Sequence, residues 1–425
     1  MKVLVIGSGG REFVLSRIIA SSPLVESVFR APGNGGRLDK TSNVNINGND
    51  IPGLKKFALE NGIDLTVVGP EDPLVKGIVD EFESAGLHII GPRKKAAALE
   101  GSKIFTRELL EEINVPQPRF SIFSDVGEAR AFIRDQNDYP VVIKVDGLAA
   151  GKGAMVCHDP EDVDIALRRI GDGEFKDAGI RFLVEGFLEG EEASYIVLVD
   201  KNGHIFPLAG SQDHKAIYDN DEGPNTGGTG AYSPAPVLNS MVEQRVLDRI
   251  VKPTIKAMAE RDMPFCGFFY VGLMIDKDAC PSVVEFNVRL GDPETQPILA
   301  RMKTDIVEIF QAMVKGELDK IQIEWDPRVA VCVVMMEDGY PGDYDKGHVI
   351  TGLDELRSWK NTIVDLAAVI EKDDKLLTSG GRVLGVTALG EDHAAAIGQA
   401  YQAVKLIHWG SEYYRSDIGK KALNR

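Results

Sequence analysis

Hydrophobic and polar blocks alternate along the first hundred residues in a way that is typical of a parallel α/β domain. Leu15, Ile18 and Ile19 recur at the spacing of one helix face, directly after a glycine-rich turn. Continuous apolar runs typical of buried parallel strands lie at 2–6 (KVLVI), 64–69 (DLTVVG) and 88–91 (HIIG). We therefore predict a Rossmann-like domain over residues 1–102, with a parallel sheet covered by helices on both faces.

The rest of the chain has a different pattern, in which strands are joined by turns and by few helices. Strand-like apolar runs lie at 141–146, 154–158, 181–188, 194–200, 267–276, 282–287, 329–336 and 382–390. A helical pattern follows at about 392–407. Closely spaced strands of this kind are typical of α+β domains with hairpins. We predict a multidomain protein, α/β at the N-terminus and α+β beyond it.

Composition restricts the class of protein. The 425 residues are 44% hydrophobic and 27% charged, as is ordinary for a globular protein. A net charge of -17 argues against a nucleic-acid partner. The apolar run at 329–336 is too short to span a membrane, and the N-terminal run is too short for a secretory signal. Four scattered cysteines predict reduced thiols, so we expect a cytoplasmic protein.

The stretch KVDGLAAGKGA at 144–154 is similar to a phosphate loop but departs from its spacing. A P-loop reads G-x-x-x-x-G-K followed by Ser or Thr. Here the glycines are one position too close, and Gly153 stands at the hydroxyl position. Lys144 ends a strand pattern, so the loop from Gly147 to Gly153 suits a hairpin lid whose N–H groups bind phosphates. An ordinary surface hairpin is the alternative.

The first glycine turn, GSGGRE at 7–12, suggests a phosphate site of another kind. A dinucleotide fingerprint needs glycine where Glu12 stands, and a carboxylate there would repel a pyrophosphate. Gly9 and Gly10 would expose backbone N–H groups at the start of a helix, and Arg11 adds positive charge. A single phosphate and a simple tight turn are equally good interpretations of this motif alone.

The densest polar cluster is VEFNVRLGDPETQ at 284–296. Glu285 and Asn287 are two residues apart on a predicted strand and therefore share one face. Such an oxygen pair beside a phosphate site suits Mg²⁺. Arg289 continues that face and suits a transferring phosphoryl group. A solvated strand face is the alternative, which the apolar residues of the strand make less attractive.

Other polar segments are weaker signals. The strand end at 185–188 and the carboxylates at 191–192 suit an adenine edge and ribose hydroxyls, although acidic residues at strand ends usually face water. The loops SQDHK (211–215) and GPNTGGTG (223–230) suit substrate contacts. His214 in the first loop is a possible general base, but a lone loop histidine is more often exposed.

Taken together, these motifs resemble the ATP-grasp ligases and, among them, the glycinamide ribonucleotide synthetase (phosphoribosylamine–glycine ligase) family. The resemblance extends from residue 1 to about residue 420. Its most specific element is RLGDPETQ at 289–296. Other matching elements, in the family order, are GLAAGKG, SQDHK, GPNTGG-x-GAYSPAP, GYPGDY at 339–344 and SGGRV at 379–383.

The resemblance implies a fold in three parts and a reaction. The parts are a pre-ATP-grasp α/β domain at 1–102, a two-lobed ATP-grasp core at 103–327 with a glycine-rich lid lobe at about 122–192, and a small C-terminal α+β domain at 328–425. The reaction joins glycine to 5-phosphoribosylamine through glycyl phosphate, giving glycinamide ribonucleotide, ADP and phosphate in de novo purine biosynthesis. The implied partners are small molecules only, and the implied chain is a monomer or weak dimer.

The resemblance also assigns roles to single residues. It implies ATP contacts at Lys103, Lys144, Gly151, Lys152, Gly153, Glu185, Leu188 and Glu192. It implies a Mg²⁺ or Mn²⁺ site at Glu285 and Asn287. The catalytic candidates are Asp213, Lys215 and Arg289. The candidates for contact with the other substrates are Gly9, Gly10, Arg11, Asn225, Thr226 and Asp292.

Two positions depart from the family pattern. Phe13-Val14 replaces His-Ala after the first glycine turn, and Thr229 replaces Met. We expect residue 13 on the flank of the first helix, near the mouth of the glycine turn. Three alternatives stay open at this point: an ATP-grasp ligase for another acid and amine, a nucleotide-binding protein without catalysis, and a nicotinamide-cofactor enzyme, which Glu12 disfavours.

Overall fold

The computed structural model describes residues 1–149 and 153–423, and its first part is a parallel α/β domain. The sheet order is β3-β2-β1-β4-β5, with every pair parallel. Its elements are β1 (Lys2–Gly7), α1 (Gly10–Ser21), β2 (Ser27–Pro32), β3 (Thr41–Asn43), α2 (Ile51–Asn61), β4 (Leu65–Val68), α3 (Glu71–Lys76), α4 (Ile78–Ser84) and β5 (Ile89–Ile90). The predicted fold class is confirmed. The strand order reverses between β1 and β4, and ligands of such sheets bind at the carboxyl ends of the strands beside that point.

A second, antiparallel sheet forms the small lobe, defined here as residues 120–186. Its order is β6-β9-β7-β8, and two helices cover one face with a separate apolar core. The elements from residue 98 onward are α5 (Ala98–Gly101), α6 (Lys103–Glu112), β6 (Phe120–Phe123), α7 (Val126–Gln136), β7 (Val141–Val145), β8 (Ala154–Cys157), α8 (Pro160–Gly171) and β9 (Phe182–Gly186). The uncovered face carries Lys144 and Glu185, since neighbouring strand residues point to opposite faces.

The large lobe, residues 191–315, packs beneath the small lobe. Its main sheet has the antiparallel order β11-β10-β16-β17. Its elements are β10 (Glu191–Val199), β11 (Ile205–Pro207), β12 (Gln212–Asp213), β13 (Ala216–Tyr218), β14 (Glu222–Asn225), β15 (Gly230–Ser233), α9 (Ser240–Val246), α10 (Lys252–Glu260), β16 (Gly267–Ile275), β17 (Pro281–Asn287), α11 (Thr295–Ala300) and α12 (Ile306–Lys315).

The C-terminal segment completes a sheet that begins in the large lobe. Its elements are β18 (Val329–Glu337), α13 (Leu353–Leu356), β19 (Thr362–Leu366), β20 (Val369–Lys372), β21 (Lys375–Thr378), β22 (Arg382–Gly390), α14 (His393–Val404), β23 (Glu412–Tyr413) and α15 (Lys420–Leu423). The sheet order β12-β15-β18-β22-β19 crosses the boundary expected at residue 328. This shared sheet anchors the loops of the large lobe on the C-terminal segment.

Two further predictions from the sequence concern the cysteines and membrane-spanning helices. Cys157, Cys266, Cys280 and Cys332 are all free thiols. Among residues 1–149 and 153–423, no helix has the length and apolar character needed to cross a bilayer.

Candidate active site

The two lysines expected at the ATP phosphates lie where the small lobe meets the large lobe. Lys103 is the first residue of α6, whose N-terminus is capped by the Ser102 hydroxyl, and its Nζ donates to the Gly147 carbonyl at 2.8 Å. Lys144 Nζ donates to the Val284 carbonyl of β17 at 3.0 Å. Burial lowers the pKa of both lysines, against the attraction of nearby carboxylates. Their ammonium groups suit a phosphate chain held between the lobes.

The Glu185 side chain is committed to ion pairs inside the cleft. Its carboxylate accepts from Arg107 at 2.7 and 2.9 Å and lies 2.9 Å from Lys144 Nζ. The main chain of Glu185 lies inside the sheet, between β6 and β7. Strand β9 then ends at Gly186, so Leu188 lies in the turn to β10 and not in the predicted strand. An adenine contact of this segment would therefore depend on the backbone of the turn. The sequence pattern did not indicate Arg107 as a partner of Glu185.

Part of the expected lid lies outside the described residues. Gly151 and Lys152 belong to that part. Gly153 lies directly before β8, and its carbonyl accepts from the Val145 N–H at 2.9 Å. The hairpin of β7 and β8 is therefore present as predicted on both sides of the loop.

Three acidic side chains surround Lys215, which lies between β12 and β13. Its ammonium pairs with Glu192 and lies 3.4 Å from Glu285 Oε1. Burial by itself would lower the pKa of Lys215, but Glu192 and Glu285 outweigh it and raise the pKa well above its ordinary value. Burial raises the pKa of Asp213 well above its ordinary value, with Lys215 opposing the shift. The site thus holds a lysine that keeps its proton more firmly than a free lysine, beside a carboxyl whose pKa is raised by burial.

Glu285 and Asn287, the expected metal pair, lie two positions apart on one face of their strand. Both lie on β17, and the pKa of Glu285 is lowered to about 2, chiefly by Lys215, so the carboxylate is ionised at neutral pH. Among the described residues, no group of three or more His, Cys, Asp and Glu side chains is arranged to hold a metal. Mg²⁺ is often held by one or two protein oxygens together with substrate phosphates and water, and this donor set fits that mode.

Arg289 lies beyond the end of β17 and is held from several sides. Its Nη2 donates to Asn287 Oδ1 at 3.0 Å, and its Nη1 donates to the Leu290 carbonyl at 3.3 Å. It also pairs with Glu71 at 3.2 Å and with Glu100 at 3.0 Å. The side chain is 17% exposed, so the guanidinium is fixed beside the metal pair with a small part facing the cleft.

A second site lies at the carboxyl ends of the N-terminal strands, near the point between β1 and β4 where the strand order reverses. A cavity of about 910 Å³, here called the interdomain cavity, opens between the N-terminal domain and the C-terminal segment. Gly9, Gly10 and Asp292 line it, as the sequence predicted for the other substrates. Its wall continues over the loop 33–38 and the strands around 367–371 and 382–385. Asp292 follows Arg289 by three residues, so one short loop connects the two sites.

Arg11 does not line this cavity, contrary to the sequence prediction. Its guanidinium donates to Glu12 Oε1 at 2.6 Å and to the Leu290 carbonyl at 3.0 Å. Glu12 in turn accepts from the Gly9 N–H at 2.6 Å, which caps α1. A Cβ at Gly69 would lie 2.1 Å from Glu12 Oε1, so glycine is required there. Glu12 is thus a structural cap, and the positive charge for an anionic substrate has to come from elsewhere.

Sequence inspection missed the basic residues that line the interdomain cavity. Arg30 is buried in β2 and donates to the Gly36 carbonyl at 2.6 Å. Arg382 donates to the Asp292 carbonyl at 2.6 Å and pairs with the Asp292 carboxylate at 3.2 Å. Asn34 donates to the carbonyls of Leu366 and Ala367 at 2.9 and 3.0 Å. The cluster GNGG at 33–36 was the available signal for this wall.

The loop residues expected at the substrates support the site from behind. Asn225 is exposed on β14, and Thr226 Oγ1 donates to the Lys215 carbonyl at 2.9 Å. Thr229, which departs from the family pattern, is buried and donates to the His214 carbonyl at 2.7 Å. His214 is buried instead of exposed, and burial lowers its pKa to about 4. These residues do not line the interdomain cavity; they fix the backbone on both sides of Lys215.

Phe13 is buried in the core and does not lie on an open flank of the first helix, as was expected. Its ring lies under the Arg30 guanidinium, 5.7 Å from the ring centre, and would meet any side chain at Gly36. Residue 13 therefore supports the cavity wall from within the core.

Comparisons with known proteins agree with this architecture. Profiles of phosphoribosylglycinamide synthetase match residues 1–100 (N domain), 101–295 (ATP-grasp domain) and 330–421 (C domain). The phosphoribosylamine–glycine ligase of Escherichia coli O6:H1 is 51% identical over 100% of this chain and 99% of its own length. The Allochromatium vinosum enzyme of the same name is 49% identical over the same shares.

Solved structures extend the comparison to three dimensions. The phosphoribosylamine–glycine ligase of Thermotoga maritima has a TM-score of 0.83 at 29% identity, covering 98% of this chain and 100% of its own. The biotin carboxylase of Campylobacter jejuni has a TM-score of 0.74 at 13% identity, covering 100% and 95%, which shows a shared fold only. The chain therefore belongs to the phosphoribosylglycinamide synthetase family, and its two-lobed core is an ATP-grasp domain.

Proposed function

We propose that this ligase joins glycine to 5-phosphoribosylamine at the expense of ATP, giving glycinamide ribonucleotide, ADP and phosphate in purine biosynthesis. The observation that carries the proposal is the continuity of two sites. Arg289, which bonds Asn287 in the charged cleft, and Asp292, which lines the interdomain cavity, lie three residues apart on one loop. An activated acid formed in the cleft would meet an amine held in the cavity.

The chemistry needs positioning more than covalent help from the protein. A glycine carboxylate oxygen attacks the γ-phosphorus of ATP, and the bond from that phosphorus to the β,γ-bridging oxygen breaks, leaving ADP. The amine of phosphoribosylamine then attacks the carbonyl carbon of glycyl phosphate, phosphate leaves, and the amine loses a proton. Fixed cations that face the moving negative charge lower both barriers.

Within this proposal the ATP contacts are those expected from the sequence, with their geometry refined. Lys103 and Lys144 would bind phosphates, the lid residues 151–153 would cover them, and the turn at Leu188 would meet the adenine. Glu192 would hold the ribose after exchanging its present pairing with Lys215. Mg²⁺, or Mn²⁺, at Glu285 and Asn287 would supply charge neutralisation of the phosphates.

The amine substrate would occupy the interdomain cavity. Gly10 offers a backbone N–H group at the start of α1, which suits its 5-phosphate, whereas the Gly9 N–H is bonded to Glu12 and Gly9 only lines the wall. Arg30 and Arg382 take the role first given to Arg11, because they line the cavity and Arg11 does not. Asp292 suits the ribose hydroxyls or the amine. We also place the enzyme in the cytoplasm, as a monomer or weak dimer; its four free thiols support that location.

The direct test is a coupled assay of ADP release by the purified chain. Chemically generated phosphoribosylamine, glycine, ATP and Mg²⁺ should together give ADP and glycinamide ribonucleotide. A panel of other acids and amines tests the specificity. ADP release that is greater with a different acid or amine would contradict the substrate assignment, and no release with any pair would contradict ligase activity.

Lys144→Met is expected mainly to raise the KM for ATP. It removes a charge-assisted hydrogen bond worth about 1.5–3 kcal/mol, or roughly 10- to 100-fold in affinity. Folding should persist, since Arg107 still holds Glu185. Lys256→Met on the surface of α10 is the matched control. Calorimetry of ATP binding is the measurement, and unaltered affinity would show that Lys144 does not contact the phosphates.

Phe13→His, which restores the family residue, is expected to change catalysis little. The phosphate contact proposed at Gly10 comes from the backbone, which the replacement leaves in place. The KM for phosphoribosylamine should shift by less than about tenfold, or ~1.4 kcal/mol. The free energy of unfolding should fall by about 1–2 kcal/mol, because a buried apolar ring becomes polar. A rescue of roughly a hundredfold from near inactivity would instead indicate a natural amine other than phosphoribosylamine.

A further inference from the structure

An acidic residue of the N-terminal domain contacts the guanidinium proposed to act in phosphoryl transfer. Glu71 is the first residue of α3, directly beyond the carboxyl end of β4. Its Oε2 lies 3.2 Å from Arg289 Nε, although the two residues are 218 positions apart. The Glu71 side chain is 29% exposed, so it forms the outer wall of the Arg289 site.

A second carboxylate completes the enclosure. Glu100, buried in α5, lies 3.0 Å from Arg289 Nη2 and accepts from the Val288 N–H at 2.7 Å. With the Asn287 amide oxygen at 3.0 Å from the same Nη2, the guanidinium is bound along two of its edges. Both carboxylates come from the N-terminal domain, and the amide oxygen comes from β17. The plane of the guanidinium is thus held jointly by the N-terminal domain and the large lobe.

The two carboxylates differ in charge. Burial would raise the pKa of Glu71, but Arg289 and Arg11 outweigh it, and the pKa lies below its ordinary value. Burial raises the pKa of Glu100 to about 7, even with Arg289 beside it. Glu71 is therefore ionised at neutral pH, and it is the partner that holds the Nε edge of the guanidinium.

We infer that Glu71 is a positioning residue for Arg289 in the phosphoryl-transfer step. The inference rests on the proposed function. It gives the N-terminal domain, which the proposed function uses only to hold the amine, a part in activating the carboxylate. A displacement of about 1 Å in a charge-stabilising group can cost roughly a hundredfold in rate. Binding of the amine itself does not depend on Glu71, which does not line the interdomain cavity.

Hydroxylamine isolates the first chemical step because it replaces the amine. Glycine carboxylate takes the γ-phosphoryl group and ADP leaves; the nitrogen of hydroxylamine then attacks the carbonyl carbon, phosphate departs, and a proton is lost. The product is glycine hydroxamate, measured by its iron(III) colour. We expect Glu71→Gln to lower the kcat for hydroxamate by roughly 10- to 100-fold, with the KM for ATP within about threefold of the natural chain.

Asp72→Asn is the matched control. It is the next residue of the same short helix, loses the same charge, is 51% exposed and touches Lys76 at 4.0 Å instead of Arg289. Its hydroxamate rate should equal that of the natural chain. Equal rates for Glu71→Gln and Asp72→Asn would overturn the inference, as would a Glu71→Gln defect confined to the KM for phosphoribosylamine.

A double-mutant cycle shows whether Glu71 acts through Arg289. In an Arg289→Lys background, Glu71→Gln should cost less than about a third of what it costs in the natural chain. Fully additive losses would contradict a positioning role. If the natural chain activates a different carboxylic acid, the glycine assignment fails, and the same comparison on that acid still decides the role of Glu71. A chain that activates no acid overturns both.

Discussion

Glu285→Ala is expected to lower kcat by roughly 100- to 1,000-fold, the cost of removing one group that stabilises charge in the transition state. The carboxylate is ionised, since its pKa of about 2 lies far below neutral pH, and its side chain is 36% exposed toward the cleft. It contributes little packing but pairs with Lys215, so the melting temperature without ligand should fall modestly, by far less than kcat falls. Turnover should recover partly as Mg²⁺ is raised, because Asn287 and the phosphates still offer oxygens.

Steady-state kinetics across a Mg²⁺ titration is the measurement for this variant. Glu260→Ala on the surface of α10, which removes an exposed carboxylate paired with Lys256, is the matched control. Unchanged turnover of the Glu285 variant at limiting Mg²⁺ would show that another group holds the metal. The pKa of Glu285 is lower in the folded chain than in the unfolded chain, so its ionised carboxylate stabilises the fold at pH values above the unfolded pKa. That stabilisation is lost as the pH falls toward about 2.

Lys215→Met should lower kcat by a similar amount, roughly 100- to 1,000-fold, but with a different response to metal. The ammonium is the cation that Glu192 and Glu285 both face, and its raised pKa keeps it charged across the working range. Without it, two carboxylates face each other, and the transferring phosphoryl group would lose one fixed positive charge. Added Mg²⁺ should not restore turnover, because the metal would already occupy its own oxygens.

The hydroxamate assay with increasing Mg²⁺ separates the two variants. Lys252→Met is the control; it removes the surface lysine at the start of α10, which pairs with Asp248. Recovery of the Lys215 variant by Mg²⁺ to the level of the Glu285 variant would mean that Lys215 serves only to neutralise the metal site. If the variant bound ATP poorly but kept a normal single-turnover rate, Lys215 would stabilise bound ATP in the ground state and not the transition state.

If the two variants behave as expected, the cleft works by fixed charge on a chain that is acidic overall. The cations Lys103, Lys144, Lys215 and Arg289 are gathered in one place, each held by carboxylates or carbonyls. Because those partners are already in position, little reorganisation energy is needed when the phosphoryl group moves.

Local sequence determined the elements and the residues that carry its strongest chemical signals. Apolar runs of strand length gave β1, β7, β16, β17, β18 and β22 nearly at their observed bounds, because burial of an apolar strand needs only its own residues. The spacing of Glu285 and Asn287 put both on one face of β17, since strand geometry repeats every two residues. The family motifs by themselves indicated the ATP-grasp architecture.

Tertiary structure alone decided which charges meet. Arg107 binds Glu185 across 78 positions of sequence, and Arg289 binds Glu71 across 218. Arg11 looked like a substrate residue by its place in a glycine turn, but its guanidinium bonds the Leu290 carbonyl, and Arg30 and Arg382 line the cavity in its stead. Periodicity reports which face of an element is apolar, whereas an ion pair depends on how separate elements pack, and no local pattern records that distance.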